Sequence, residues 1–121
     1  MDRDRTLLLE RIGEQATLRD LGARHGMSAE GVRKAIRRAT HEHIRDIVVD
    51  LWEAQAAGQV LVLAIPAGLD EDQGRAIDYL RWTLAELERL WGVRADVRYL
   101  PAPDGTIAFA LTDPQMPGGK P

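Results

Sequence analysis

Between Ser28 and Arg45 the chain sets Arg33, Lys34, Arg37, Arg38 and Arg45 against only Glu30 and Glu42. Arginine grips guanine or a phosphate with paired N–H donors, glutamate accepts from the cytosine amino group, and lysine adds a point charge for the backbone. Such a basic segment can hold nucleic acid even in a protein of net charge −3, because phosphate attraction acts locally, within about a Debye length. The same charges on a solvated helix face would bind nothing, and charge alone does not separate the two readings.

Other chemistries find less support. In His41-Glu42-His43 the histidines are two apart, so on a helix they point away from each other, unlike the four-residue spacing of a zinc pair. His25 falls at a turn, where packing or a phosphate-side role is expected. Asp70-Glu71-Asp72 precedes a helical pattern; carboxylates there satisfy free N–H groups and the helix dipole. Pro66-Ala67-Gly68 lacks the glycine spacing of nucleotide loops. There is no cysteine, which excludes disulfides, thiolate metal sites and thiol nucleophiles. No Ser/His/Asp order or nucleophile elbow is present. Neither an enzyme nor a metal or cofactor is expected.

The elements that would position the basic residues are legible from caps and periodicity. Leu7, Leu8, Leu9 and Ile12 form a first helix ending near Gly13. Thr17-Leu-Arg-Asp20 reads as a capping box opening a second short helix, which Gly26 closes in a left-handed conformation. Ser28 caps a third helix, with Glu30 in its first turn, and apolar spacing from Val32 through Leu51 carries it to about Ala56, before Gly58. The run Val60–Ile65 predicts a strand buried on both faces. Helical spacing returns over Asp70–Trp91, with Ile77, Leu80, Leu84, Leu87 and Trp91 as the packing stripe. Tyr79 and Trp82 lie off that stripe and form a partner surface if exposed. Trp52 is expected at the junction of the two units or in a dimer. Val93, Ala95, Val97 and Tyr99 alternate with polar residues as a half-exposed strand, Asp104-Gly105 signals a turn, and Thr106–Thr112 is the last strand.

The fold class is therefore α+β: an amino-terminal trihelical helix-turn-helix with a long third helix, then a β-α-β-β unit. The crossover helix should make the first two strands parallel. The unit should be a three-stranded mixed sheet covered by one helix, with the last strand central. The expected domains are 1–57 for recognition, 58–113 for dimerisation or ligand sensing, and a disordered tail at 114–121. In 121 residues each unit is marginal alone, which motivates a homodimer through 58–113. Charge divides likewise: residues 1–46 hold ten Arg/Lys against eight Asp/Glu, and residues 47–121 hold six against eleven. No apolar run nears the roughly 20 residues of a membrane span, so a cytoplasmic protein is expected, without a membrane partner.

A helix-turn-helix needs a support helix, a tight turn and a second helix whose exposed start can enter the major groove. Leu18, Leu21, Met27, Val32 and Ile36 can supply its core, Gly22 permits close helix approach, and Arg33, Lys34 and Arg37 lie off the packing face. The segment Thr17-Leu-Arg-Asp-Leu-Gly-Ala-Arg-His-Gly-Met-Ser-Ala-Glu-Gly-Val-Arg-Lys-Ala-Ile-Arg-Arg-Ala39 resembles the helix-turn-helix of the promoter-reading carboxy-terminal domain (region four) of bacterial sigma factors. The shared features are a Thr-Leu opening, a Leu-Gly pair, a Gly-apolar-Ser turn and a Glu-x-Val-Arg start of the recognition helix. The response-regulator type of helix-turn-helix is similar as well. The resemblance covers residues 5–45 and implies binding of double-stranded DNA through Ser28, Ala29, Glu30, Arg33, Lys34 and Arg37; Thr17 and Arg38 complete the expected contacts. Gly31 stands where the family usually offers a polar or basic side chain, and the β-α-β-β unit has no counterpart in a sigma factor. What the resemblance implies is DNA binding by a transcriptional regulator, or a module that engages transcription machinery by mimicry, rather than sigma activity.

Overall fold

The computed structural model describes residues 3–101 and 107–112. The elements are α1 (Arg3–Glu14), α2 (Leu18–His25), α3 (Ala29–Ala56), β1 (Leu61–Leu63), α4 (Gln73–Trp91), β2 (Asp96–Pro101) and β3 (Ile107–Thr112). The protein is α+β, with four helices and one three-stranded sheet among the described residues. The expected Asp104-Gly105 turn and the tail at 114–121 lie outside them. By packing, the chain forms two units, Met1–His43 and Ile44–Pro121, and the division falls within α3.

In the first unit, α1 buries Leu7, Leu8 and Ile12. It ends near Gly13, as the sequence suggests. It runs to Glu14, and Gln15 takes the left-handed turn at φ 54°. The Arg11 guanidinium donates to the Ala16 carbonyl at 2.5 Å, so a local hydrogen bond fixes the reversal that glycine would otherwise supply. The core gathers Leu7, Ala16, Leu21, Val32 and Ala35, with Leu18, Met27 and Ile36 packed against it.

In the second unit, the back half of α3 buries Ile44, Ile47, Val48 and Leu51. Gly58, at φ 71°, ends it, and the Gln59 N–H donates to the Ala54 carbonyl at 2.8 Å. The acidic loop before α4 has a structural use. The Asp70 carboxylate accepts from the Gly68 N–H at 3.2 Å, and Asp72 caps α4 by accepting from the Gly74 N–H at 2.8 Å.

The buried face of α4 is rotated from the expected stripe. It comprises Ala76, Tyr79, Leu80, Thr83 and Leu87, while Trp91 is exposed. Thr83 can be inside because its hydroxyl donates to the Tyr79 carbonyl at 2.8 Å. Tyr79, a partner surface only if exposed, is 1% exposed and stacks on Trp82, with centroids 6.0 Å apart. Trp52 meets Trp91 edge-on, also at 6.0 Å.

The strand order is β1-β3-β2, with the last strand central as expected, but the sheet is not mixed. β3 is antiparallel to both neighbours. The crossover sends β1 and β2 in one direction, and the strand inserted between them opposes each. β1 is also shorter than the apolar run that encodes it: Val60 and Val62 are exposed and only Leu63 is buried. One face of the sheet is covered over β1 and β3, at Leu63, Phe109 and Leu111, while Val97 and Tyr99 of the edge strand β2 on that side stay exposed. No helix among the described residues is long and apolar enough to cross a membrane.

Candidate nucleic-acid interface

The turn between α2 and α3 is built from backbone requirements. Thr17, in extended conformation, accepts from the Asp20 N–H at 3.0 Å and so caps α2. At the other end Gly26 has φ 67°, and its N–H returns to the Gly22 carbonyl, which also accepts from Met27 at 2.8 Å. Gly22 faces the incoming chain so closely that a Cβ there would lie 2.4 Å from the Met27 carbonyl oxygen. Only glycine fits that approach. Ser28 then accepts from the Gly31 N–H at 3.0 Å and starts α3.

Helix α1 is clamped to α2 by charged groups. Glu10 accepts from Arg24 at 3.2 Å and lies 2.9 Å from His25 Nε2; Glu14 also accepts from Arg24 at 3.2 Å. Arg24 is held above its ordinary pKa by the Glu14 charge first of all. Sequence reasoning misses this clamp, since its members lie ten to fifteen residues apart on different helices. It misses Leu7, Ala16 and Ala35 in the core for the same reason.

With that frame fixed, α3 buries Val32 and Ala35 and turns its other side outward. Ser28, Ala29, Glu30, Lys34, Arg37 and Arg38 are all exposed, and Arg33 is half-buried. Steps of three and four place Glu30, Arg33, Lys34 and Arg37 on one strip. Lys34 and Arg37 have no ion-pair partner among the described residues. Arg33 does: its Nε donates to Glu30 Oε2 at 2.9 Å, and a second guanidinium nitrogen reaches Oε1. That hydrogen bond is the main cause holding the Glu30 carboxyl below its ordinary pKa, with the charges of Arg33, Lys34 and Arg37 adding to it. Arg33 is correspondingly held above its own ordinary value.

Arg38 lies off the strip and reaches back to Asp4 of α1, with both contacts at 3.2 Å. Thr17 spends its hydroxyl on the α2 cap. The structure thus brings four of the eight expected contact residues onto one exposed strip, puts Ser28 and Ala29 at its start, and gives Thr17 and Arg38 work inside the unit. His41 is exposed while His43 is buried, the divergence expected of residues two apart on a helix. No group of three His, Asp or Glu side chains suited to a metal ion occurs among the described residues. No family model, curated protein or solved structure matches the chain.

Proposed function

We propose that this protein is a sequence-specific double-stranded DNA-binding transcriptional regulator of the cytoplasm, acting as a homodimer through residues 58–113. The start of α3 lies in the major groove. Arg33 and Glu30 read base edges there, while Lys34 and Arg37 hold phosphates. The observation that carries this reading is the exposed strip itself. Two cations with no ion-pair partner among the described residues, Lys34 and Arg37, stand about two turns beyond the Ser28 cap, on a helix whose opposite side is sealed into the core. The turn supports it too, since the backbone approach at Gly22 is of the kind a helix-turn-helix requires.

Selection of bound sites from a random oligonucleotide pool is the test. A symmetric motif with half-site centres about 34 Å apart is the expected result. Absence of any enriched site, with no gel shift of random duplex even at low salt, overturns the proposal.

A second reading is a protein-interaction module that engages transcription machinery by resembling a sigma domain. The pairs Arg33–Glu30 and Arg38–Asp4 favour it, because they neutralise two guanidinium groups within the chain. A mobility shift on random duplex at rising salt separates the two. Steep salt-dependent loss of binding belongs to a DNA reader; no binding at any salt belongs to the interaction module.

A further inference from the structure

The sheet has one largely covered face and one open face. On the covered face Leu63, Phe109 and Leu111 of β1 and β3 are at most 5% exposed, while Val97 and Tyr99 of the edge strand β2 remain exposed. The pairing register sets the other face in rows: Val62, Ala110 and Arg98 across the three strands, with Thr112 beside Asp96 to one side and Ala108 beside Leu100 to the other. Val62 is 53% exposed and Val60, just before β1, is 46% exposed. Ala110 forms the floor of a groove whose walls include Val60, Leu100 and Arg98. Small residues on the central strand, between larger ones on its neighbours, leave a trough that another apolar surface can enter.

The charges say what enters it. Asp96 and Arg98 lie on this same face, two positions apart on β2, or about 6.8 Å. Neither has an ion-pair partner among the described residues. A partner must therefore present a cation and an anion at the same spacing in the reverse order, beside an apolar patch. A second copy of this chain does so by symmetry. A two-fold axis in the plane of contact, running across the strands between the Asp96 and Arg98 rows, sets each Asp96 against the other copy's Arg98. The same operation sets Val60 against Val62 and Thr112 against Ala110. With alanine and threonine at the centre, the two sheets can close to the roughly 10 Å of face-to-face packing.

We infer that this open face is the seam of a symmetric dimer, closed by two reciprocal Asp96–Arg98 ion pairs around the Val60, Val62 and Ala110 patch. The inference rests on the homodimer proposed above and names its surface.

Sedimentation of the full chain tests it. The wild type sediments as a dimer. Asp96→Arg and Arg98→Asp, each alone, set like charges against each other and raise the dissociation constant by about tenfold or more. The double variant restores the opposition and returns to within about threefold of wild type. Asp96→Asn and Arg98→Gln, which remove charge without reversing it, serve should a reversal disturb folding as judged by circular dichroism. A wild-type dimer indifferent to all these changes places the seam elsewhere and overturns this inference while the dimer stands. Failure of the double variant to recover overturns the reciprocal pairing. A wild type that stays monomeric at high micromolar concentration overturns both, and binding to a single half-site then still reports on the DNA reading separately.

Discussion

The Arg33 guanidinium is clasped by the Glu30 carboxylate one turn earlier on α3, Nε to Oε2 at 2.9 Å. Both side chains are substantially exposed, so the clasp is salt-sensitive and can open for a partner. If Arg33 reads guanine, Arg33→Ala lowers affinity for the selected site by about ten- to hundredfold and relaxes preference at one base pair. An equal loss on every sequence contradicts that role. Glu30→Gln frees the guanidinium and should steepen the dependence of log affinity on log salt by about 0.9, measured on random duplex.

The same pair predicts a titration. Because Arg33 holds the Glu30 carboxyl below its ordinary value, the clasp contributes fully above the unfolded carboxylate pKa. It is lost as pH falls through the lower folded value. Side-chain NMR of Glu30 should place its midpoint below that of a free glutamate. Arg33→Ala should move the midpoint upward, and an unmoved midpoint would show that the clasp does not persist in solution.

Lys34 and Arg37 should behave differently from Arg33. With no partner to release among the described residues, Lys34→Ala and Arg37→Ala each weaken binding to all sequences alike. Each reduces the salt slope by about 0.9. Binding isotherms on specific and random duplex over a salt series check this.

Two backbone positions give opposite outcomes. Gly22→Ala drives a Cβ to 2.4 Å from a carbonyl oxygen, and the resulting shift of the α2–α3 turn should cost about 1–3 kcal/mol. Gln15→Gly should stabilise by up to about 1 kcal/mol, because a non-glycine residue at φ 54° carries left-handed strain that glycine does not. Calorimetry of the two variants should therefore show melting temperatures displaced in opposite directions.

Local chemistry is what the sequence makes legible. The caps at Thr17 and Ser28 and the turns at Gly26 and Gly58 follow from one residue and its near neighbours, and each is found where the residue types point. The strip of Lys34 and Arg37 follows from helical period in the same way. Contacts between distant elements are not legible. Nothing near Glu10 announces Arg24 and His25. Tyr79 and Thr83 look polar enough for a surface until a carbonyl takes up the threonine hydroxyl. The apolar run at Val60–Ile65 has the composition of a strand buried on both sides, yet one of its faces is open. Composition records what a strand can tolerate, and only the folded arrangement decides which side is covered.

The aromatic side chains are divided as unevenly as the charges. Trp52, Trp82 and Trp91, with both tyrosines and the one phenylalanine, all fall after His43, while the unit that carries the basic strip has none. Indole fluorescence is therefore a private signal of the second unit, with the edge-on Trp52–Trp91 contact as its reporter of the α3–α4 packing. The first unit is optically silent, so a single tryptophan placed there would follow its unfolding without interference only after those three are replaced.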